Sequence, residues 1–373
     1  MRIGIDIRSL VEPFPSGISE YTAQVIKHLL AGDHENEYLF FYNATRPLPV
    51  HYVKGLSAQN ARIVERRMPS KLFNAGQTFF SYPRIDSLLE GVDTFFEPNF
   101  LSFASFSLRC RVVVAVHDIS FRYHDFFTAK GYWWHKFIRP KRMLERADSI
   151  IAVSESTRRD VIEQYGIDRE RITVIPLGVD YGELSKKKAA ACGRVRSKYR
   201  LPERYLLYLG TVEKRKNICG LLEAWEELCR GGKCQYGLVI AGRIAEPSLV
   251  RRYSSVQFLG YVPHGDKPPL YHGASAFVYP SYFEGFGIPV AEAMAAGLPV
   301  ITSNATSLPS VAKEAALIID PYNRSDLVQA MQSILNDEGL RTRLGAHARR
   351  LSAQYTWQST AAQTLSLLTT NSE

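Results

Sequence analysis

Cysteine is scarce in this sequence: there are five, scattered through a chain of 373 residues. No two of them have the spacing of a zinc site together with a second pair or nearby histidines, which excludes the common structural metal motifs. An odd, dispersed set of cysteines is typical of a reducing compartment. The sequence therefore predicts no bound metal, and nothing in it calls for a cofactor.

Long apolar runs are also absent, and none approaches the length that would cross a bilayer. The opening residues Met1–Asp6 have a strand pattern, with a charge where the apolar core of a signal peptide would stand. These absences predict a cytoplasmic protein. The net charge of +9 favours an anionic partner, either a phosphorylated ligand or the inner face of the cytoplasmic membrane. Nucleic acid is not predicted, because no helix-turn-helix, zinc or RNA-binding signature accompanies the charge.

The composition is that of a globular protein, 46% hydrophobic and 22% charged, and the length allows two domains. Short apolar runs alternate with helical patterns in both halves, which predicts two doubly wound α/β sheets of parallel strands. Predicted strands are 2–7, 38–42, 93–96, 111–116, 149–153, 171–175, 205–210, 236–241, 256–259, 274–279, 299–302 and 316–319. Predicted helices are 20–30, 154–165, 218–229, 290–296, 324–335 and 340–353.

The stretch Leu177–Arg200 changes character, with glycines, three consecutive lysines and no strand pattern. We place the domain boundary there. The prediction is a first domain at residues 1–180, a second at 181–355, and a final helix at 356–373 that can pack back on the first domain.

The most informative stretch is Ser281–Glu292, which follows a predicted buried strand and enters an alanine-rich helix. Gly285 and Gly287 flank Phe286 at the helix entrance, where free N–H groups suit an anion and missing side chains allow close approach. Glu284 in the loop and Glu292 on the helix are carboxylates suited to accepting from sugar hydroxyls. The alternative is an ordinary strand–loop–helix turn, which the Gly-Phe-Gly setting disfavours.

A second candidate is the loop after strand 205–210, with Gly210 at the strand end, then Thr211 and the basic residues that lead to Asn217. Arg215 and Lys216 at a helix entrance suit a diphosphate, whereas the alternative is a solvated charge run. Asn217 is predicted to cap the next helix. Two further candidates follow the next strands: Arg243, and Val262, whose backbone can face a nucleobase.

In the first half, ligands are expected at the carboxyl ends of the strands. Gly17 follows the first strand, where a small residue would let a donor group approach. His117 ends the strand 111–116, and either a functional role or a capping role is open for it.

The segment Lys130–Arg146 interleaves apolar and basic residues: Trp133, Trp134, Phe137 and Ile138 with Lys136, Arg139, Lys141 and Arg142. Such a helix can lie in a lipid headgroup layer. The alternative is a helix whose aromatic residues pack on its own sheet while its basic face is solvated.

Together these motifs resemble the retaining glycosyltransferases of the large fourth sequence family, over nearly the whole chain. The resemblance rests on Glu284-x7-Glu292, on Gly-Thr-x-Glu-x-Arg-Lys-Asn at 210–217, and on Val-His-Asp at 116–118. It implies the GT-B architecture: two Rossmann-like doubly wound domains that face each other across a cleft. The first would be the acceptor domain, and the second would hold the nucleotide-sugar donor.

The resemblance also implies roles for individual residues. Arg215 and Lys216 would neutralise the donor diphosphate, Glu284 would contact the hydroxyls of the donor sugar, and Glu292 would bind the ribose. The remaining implied donor contacts are His117 near the reacting sugar, Gly17 in the first loop, and the amides of Phe286, Gly287 and Ile288.

The subgroup resembles bacterial polysaccharide mannosyltransferases, which implies a GDP-mannose donor and a glycan or lipid-linked glycan acceptor, with a UDP-linked donor as the other choice. Two rival readings remain. One is a nucleotide-sugar epimerase, for which we identify no additional acid–base set. The other is an inactive nucleotide-sugar-binding subunit, which the complete set Arg215, Lys216, Glu284 and Glu292 disfavours.

Overall fold

The computed structural model of this protein describes residues 1–11, 16–100, 109–122, 140–230, 235–244 and 248–370. The chain divides into two compact units: Met1–Gly178 with Trp357–Glu373, and Val179–Thr356. The described residues of each unit form one sheet, and every strand pairing within the two sheets is parallel. The prediction of two Rossmann-like doubly wound sheets is confirmed.

The described part of the first unit has a seven-stranded sheet in the order β3-β2-β1-β4-β5-β6-β7. Its strands are β1 (Arg2–Asp6), β2 (Glu37–Asn43), β3 (Ala61–Arg66), β4 (Thr94–Glu97), β5 (Arg111–Val116), β6 (Ser149–Ala152) and β7 (Ile172–Val174). The central strands are buried on both faces and rich in aliphatic and aromatic side chains, as parallel strands covered by helices must be.

The helices of this unit begin with α1 (Gly17–Gly32), α2 (Val50–Gly55), α3 (Ser70–Ala75), α4 (Ile85–Leu88), α5 (Pro140–Arg146) and α6 (Glu155–Tyr165). Helix α1 starts earlier than predicted because Ser16 and Ser19 form a reciprocal capping box. Helix α6 is capped by Ser154 and stops at Gly166, whose φ is +66°. A π-helical turn, Gly76–Phe80, continues α3.

The described part of the second unit has a six-stranded sheet in the order β10-β9-β8-β11-β12-β13. Its strands are β8 (Tyr205–Leu209), β9 (Gly237–Ala241), β10 (Gln257–Gly260), β11 (Ala276–Tyr279), β12 (Val300–Ser303) and β13 (Ala316–Ile319). Its helices are α7 (Tyr181–Leu184), α8 (Ala189–Tyr199), α9 (Ile218–Cys229), α10 (Ser248–Arg252), α11 (Lys267–Gly273), α12 (Ile288–Ala295), α13 (Leu308–Ala312), α14 (Arg324–Asn336) and α15 (Glu338–Ser352).

The last helix, α16 (Trp357–Thr369), belongs to the first unit and packs along α1. The Thr94 hydroxyl donates to the Leu368 carbonyl at 3.0 Å, and the Arg111 guanidinium donates to the Leu367 carbonyl at 2.7 Å. Helix α16 is therefore bonded to the central strands of the first sheet.

The strand order reverses direction once in each sheet. In the second sheet, β8 lies between β9, which follows it in sequence, and β11, from which the chain continues to the opposite edge. From the carboxyl ends of β8 and β11 the chain therefore continues toward opposite edges of the sheet, and ligands of doubly wound folds bind at such a point. The corresponding point in the first sheet lies between β1 and β4.

Some local predictions need correction. Strand β3 was not predicted, and the stretch predicted as the domain boundary, for which no strand was expected, contains the unpredicted helices α7 and α8. Asn217 occupies the position before α9, but its side chain makes no cap and instead donates to the Pro321 carbonyl at 2.9 Å.

Much of the segment Lys130–Arg146 lies outside the described residues, including Trp133, Trp134, Lys136, Phe137, Ile138 and Arg139. Its described part is α5, in which Met143 and Leu144 are buried. Among the helices of the described chain, none has the length and apolarity to cross a membrane.

Candidate active site

Two loops of the second unit meet at the switch point between β8 and β11. The first, residues 210–217, carries Lys216 in a turn of 3-10 helix, and the second, residues 280–287, carries Glu284. The side chains lie 68 positions apart in sequence and are brought into hydrogen-bond contact by the pairing of β8 with β11. The sheet topology therefore assembles the two strongest sequence candidates at one place.

Lys216 and Glu284 form a buried ion pair. The Lys216 Nζ donates to Glu284 Oε1 at 2.6 Å and also donates to the hydroxyl oxygen of Tyr279. Lys216 is 8% exposed and Glu284 7%. The ammonium also lies 5.0 Å from the centre of the Tyr279 ring. Its position is therefore fixed by a carboxylate, a hydroxyl and an aromatic face.

Arg215 approaches the same carboxylate through its other oxygen. Its Nη1 donates to Glu284 Oε2 at 3.1 Å and to the Phe283 carbonyl at 2.7 Å, while Nη2 donates to Glu213 Oε1 at 2.9 Å. The Tyr282 N–H donates to the Arg215 carbonyl at 2.9 Å, which ties the two loops together. Both oxygens of Glu284 are thus engaged by cations.

The charge balance of this cluster follows from its burial. Burial alone would raise the pKa of the Glu284 carboxyl, but the Lys216 and Arg215 cations hold that pKa at about 2. Glu284 is therefore ionised at neutral pH. An incoming anion with several oxygens can pair with Lys216 and Arg215 in place of Glu284. The Glu284 carboxylate can then accept hydrogen bonds from hydroxyl groups.

Two tyrosines support the cluster from below. The rings of Tyr208 and Tyr279 stack with centroids 5.5 Å apart and 19° between their planes, and both residues are fully buried. The Tyr208 hydroxyl donates to the Thr211 carbonyl at 3.1 Å. A Cβ on Gly210 would lie 3.1 Å from that hydroxyl, tighter than most real contacts, so the chain passes close over the ring pair.

The second loop turns into α12 at Gly287, where φ is +96° and a Cβ would meet Leu308 Cδ2 at 2.6 Å. Only glycine suits both conditions. Phe286 is buried against the Tyr355 ring in an edge-to-face contact at 5.4 Å, which anchors the turn. The backbone of Phe286, Gly287 and Ile288 thus leads into a helix start, where N–H groups lack intrahelical acceptors.

Glu292 lies further along α12 and has different partners from Glu284. The hydroxyl of Tyr271 donates to Glu292 Oε2 at 2.8 Å, and the Lys267 ammonium lies 3.9 Å from Oε1. Tyr271 is fully buried, whereas Glu292 remains partly accessible. The two glutamates of the motif therefore belong to two separate sets of contacts.

The remaining candidates of the second unit lie on neighbouring strands at the same edge of the sheet. Arg243 follows β9, its side chain is exposed, and its carbonyl accepts from the Val212 N–H at 2.9 Å. Gly242 approaches the first loop so closely that a Cβ would lie 2.0 Å from the Gly210 carbonyl oxygen. Val262 follows β10 and is buried, 5% exposed.

Comparison with known proteins identifies the chain. The model for glycosyl transferases group 1 matches residues 194–351, and the model for Glycosyltransferase Family 4 matches residues 15–183. The O-antigen chain mannosyltransferase B of Escherichia coli is 33% identical over 371 residues, which cover 94% of this chain and 95% of that protein. This chain is a glycosyltransferase of group 1.

The glycosyltransferase is also similar to a second protein in sequence and to a solved structure in fold. A serotype-specific mannosyltransferase WbdA of Escherichia coli is 34% identical over 229 residues, 58% of this chain and 28% of that protein. Among solved structures, Anabaena Alr3699/HepE in complex with UDP and glucose superposes with a TM-score of 0.75 at 18% identity, covering 98% of this chain and 99% of that one. At that identity the superposition shows the shared fold alone.

In the first unit of the glycosyltransferase, His117 follows β5 and is held on several sides. Its Nε2 lies 2.8 Å from the Pro98 carbonyl oxygen, and the Tyr21 ring meets it edge-on at 4.7 Å. A carbonyl only accepts, so Nε2 must carry the proton and Nδ1 is the acceptor of the neutral ring. Burial lowers the pKa of His117 despite the opposing effects of the Pro98 carbonyl and of Asp118, which favours this neutral form.

Gly17 is the first residue of α1 and is exposed, and a Cβ placed on it would meet no atom of the described residues within 4 Å. Packing within its own unit therefore gives no reason for a glycine at this position. Gly17 and His117 both lie in the first unit, apart in sequence and unit from the cluster of Lys216 and Glu284.

The sequence analysis missed several contributors to the site. The Tyr279 hydroxyl accepts from Lys216, and the Tyr271 hydroxyl donates to Glu292. The backbone of Glu284 is held by two hydroxyl groups: the Thr306 hydroxyl accepts from its N–H at 3.0 Å, and the Ser307 hydroxyl donates to its carbonyl at 2.9 Å. An aromatic residue at the last position of a strand that leads into a candidate loop was the available signal for Tyr279. No local pattern pointed to the others.

Proposed function

We propose that this glycosyltransferase transfers mannose from GDP-mannose to a glycan or lipid-linked glycan acceptor in bacterial polysaccharide synthesis, with retention of the anomeric configuration. The observation that carries the donor assignment is the pair of cations, Arg215 and Lys216, around one ionised glutamate at the switch point of the second sheet. The choice of mannose is supported by the similarity to O-antigen chain mannosyltransferase B over nearly the full length of both chains.

The two cations account for the leaving group. Breaking the anomeric C–O bond leaves a nucleoside diphosphate anion and an oxocarbenium-like sugar, so charge develops on the phosphate side of the bond. Lys216 and Arg215 are positioned before the donor arrives, and fixed charges aimed at a developing anion are among the largest single contributions to catalysis. The N–H groups at the turn Phe286–Ile288 add donors of the same polarity.

Glu284 then becomes available to the sugar. Once the diphosphate attracts the two cations, its carboxylate oxygens can accept from vicinal hydroxyls of the donor sugar. Glu292, oriented by Tyr271, is assigned to the ribose hydroxyls in the same way. The backbone at Val262 and the exposed side chain of Arg243 are assigned to the nucleotide.

His117 and Gly17 are assigned to the first unit's share of the reaction. With its proton on Nε2, His117 can accept from a sugar hydroxyl at Nδ1 without bringing a positive charge near the oxocarbenium-like carbon. Gly17 leaves open space at the start of α1, where a substituent of the donor sugar could approach the helix entrance.

Retention follows if the acceptor attacks from the face that the leaving group vacates. The acceptor hydroxyl forms the new C–O bond as the donor C–O bond breaks, and the departing phosphate oxygen takes the hydroxyl proton. The products are then a mannoside of unchanged configuration and GDP, and no separate side-chain base is needed to balance the step.

A panel of nucleotide sugars tests the donor assignment. A donor that binds only the folded protein raises the melting temperature, so GDP-mannose should raise it more than UDP-glucose or UDP-galactose. Transfer to a mannose-terminated oligosaccharide, followed by proton NMR of the new anomeric signal, tests the chemistry and its retention. In the transfer assay Lys216→Met should lower turnover, because it removes one of the two cations that stabilise the leaving group. Lys214→Met is its matched control, because Lys214 is the exposed basic neighbour in the same loop. Stabilisation by UDP-sugars alone, or an inverted product, would contradict the proposal.

A further inference from the structure

Residues 68–82 of the first unit expose an unusual amount of apolar surface. Five large apolar side chains within this stretch are exposed: Met68 39%, Leu72 67%, Phe79 59%, Phe80 80% and Tyr82 69%. Exposed apolar residues scattered singly are normal, whereas several on one short segment mark an interaction surface. We call residues 68–82 the exposed apolar segment.

The segment is held to its unit by its other face. Phe73 is fully buried, stacks on Phe41 of β2 at 5.9 Å and lies under the Arg8 guanidinium at 5.6 Å. Gln77, one turn later, is also fully buried and donates to the Pro83 carbonyl. The inward face is therefore set by positions 73 and 77, and Leu72 on the same helical stretch is left facing outward.

The end of the segment folds back on the helix. The Tyr82 N–H donates to the Gly76 carbonyl at 3.1 Å, and a Cβ on Gly76 would lie 2.4 Å from the Tyr82 carbonyl oxygen. Glycine at position 76 is therefore required for this close approach. The fold-back places the exposed Tyr82 beside the helical stretch that carries Leu72 and Phe80.

The charges within the sequence stretch 66–85 have one sign. No acidic residue occurs from Arg66 to Ile85, while the same stretch contains Arg66, Arg67, Lys71 and Arg84. The nearest acids on either side, Glu65 and Asp86, are already engaged by Arg67 at 2.7 Å and by Arg84 at 2.5 Å. An exposed Lys71 next to an exposed Leu72 thus gives the surface the mixed apolar and basic character of interfacial helices.

The position in the fold also has a meaning. The segment begins two residues after Arg66, the last residue of β3, so the chain enters it from the carboxyl edge of the sheet. His117 leaves the same edge at the end of β5. The exposed apolar segment and the candidate sugar contact of the first unit are therefore presented at the same edge of one parallel sheet.

We propose that the exposed apolar segment inserts Leu72, Phe80 and Tyr82 into the headgroup boundary of an anionic lipid bilayer, with Lys71 facing the lipid phosphates. The role of this membrane contact rests on the proposed function: it would hold the edge of the first sheet at a membrane that carries the lipid-linked acceptor. The physical basis is independent of that purpose: burial of exposed apolar side chains and attraction of basic residues to an anionic surface add to one binding free energy.

Vesicle sedimentation tests the segment directly. The full-length protein is expected to sediment with phosphatidylcholine vesicles that contain phosphatidylglycerol. The double variant Leu72→Ser, Phe80→Ser should bind at least about tenfold more weakly, since the full burial of one large apolar side chain corresponds to about that factor or more. Lys71→Glu should weaken binding to the anionic vesicles. Val50→Ser, which changes an apolar side chain 70% exposed on α2 of the same unit, should bind like the unchanged protein.

Other outcomes separate this inference from the proposed function. Unchanged vesicle binding by the double variant overturns the assignment of the segment to a lipid surface. The assignment is also overturned if the unchanged protein is a dimer in lipid-free gel filtration and the double variant is a monomer, because the partner would then be a second copy of the chain. Each variant is also assayed for mannose transfer to a soluble oligosaccharide. A double variant that loses vesicle binding but still transfers mannose to the soluble oligosaccharide supports both proposals. An unchanged protein that binds vesicles but transfers no mannose from GDP-mannose overturns the proposed function alone. A melting temperature close to that of the unchanged protein confirms that the variants fold, as substitutions at exposed positions should allow.

Discussion

Replacing Lys216 by methionine removes one of the two cations that hold Glu284, while the side chain keeps a similar length. The pKa of the Glu284 carboxyl stands at about 2 instead of its ordinary 4.5, which corresponds to about 3 kcal/mol in favour of the ionised carboxylate. Burial lowers the pKa of the Lys216 ammonium in spite of Glu284, so part of this gain is offset within the pair. Arg215 stays in place at 3.1 Å, so the loss should be smaller than the removal of both cations. We expect Lys216→Met to cost about 2–3 kcal/mol, at or just below the range of about 3–5 kcal/mol for breaking a buried pair, because Arg215 remains.

Thermal and acid unfolding measure this loss. For a unit of this size, about 2–3 kcal/mol lowers the melting temperature by about 5–10 °C. In the unchanged protein, the contribution of Glu284 is complete above about pH 4.5 and is lost as the pH falls toward its folded pKa of about 2. In Lys216→Met the pKa of Glu284 rises toward its ordinary 4.5, so this contribution is smaller and its loss on acidification is complete at a higher pH. Lys214→Met, at the exposed neighbouring position, should leave both curves unchanged.

The double variant Lys216→Met, Glu284→Gln separates stability from catalysis. With the buried carboxylate removed, which in Lys216→Met keeps only Arg215 as a cation, the melting temperature should recover much of the loss. Transfer should remain lowered by about a hundredfold or more in both variants, because the charge that stabilises the leaving group is missing. Recovery of transfer in the double variant, or a single variant as stable and active as Lys214→Met, would refute the reasoning.

Three further predictions concern the rest of the site. Glu284→Gln should weaken selection among donor sugars more than it weakens binding of free GDP, as measured by calorimetry; an equal loss of GDP affinity would argue against the sugar-contact assignment. Tyr271→Phe removes the 2.8 Å hydrogen bond to Glu292. It should raise the Kd for GDP by about tenfold, which corresponds to one hydrogen bond to a charged group. An unchanged Kd would contradict the assignment of Glu292 to the ribose. Gly287→Ala should lower the unfolding free energy by at least about 1–2 kcal/mol because of its φ of +96°, while Gly17→Ala, with open space around it, should change stability little; equal melting temperatures for the two would contradict the structural account.

Strong local patterns made most of the fold predictable. Strand β5 and helix α9 have the predicted bounds, because an apolar run of strand length and a clear helical periodicity each leave one reading. Helix α8 was missed because it buries only Val195, so almost no apolar periodicity marks it. Helix α11 was missed because Pro268 and Pro269 interrupt the pattern, although prolines in the first turn are compatible with a helix.

The site was predictable to a different extent. Glu284, Lys216 and Arg215 could be proposed from their positions after strands, because the carboxyl ends of parallel strands share one edge of the sheet. Their mutual contacts could not, since Lys216 and Glu284 come together through strand order, and no spacing within one loop encodes it. The orientation of Glu292 depends on a buried tyrosine from another helix, Tyr271, for which the sequence carries no local signal.

The route of the backbone has a consequence for biosynthesis. Helix α16 completes the first unit, yet it is made after the whole of the second: Trp357 lies beside Tyr21, and Leu368 is bonded to Thr94. All residues of the second unit are therefore synthesised before the helix that crosses α1 and β4 of the first. Until α16 docks, the uncovered apolar surface is open to chaperones, and a chain truncated after Thr356 should be cleaved by protease in the first unit while the second resists.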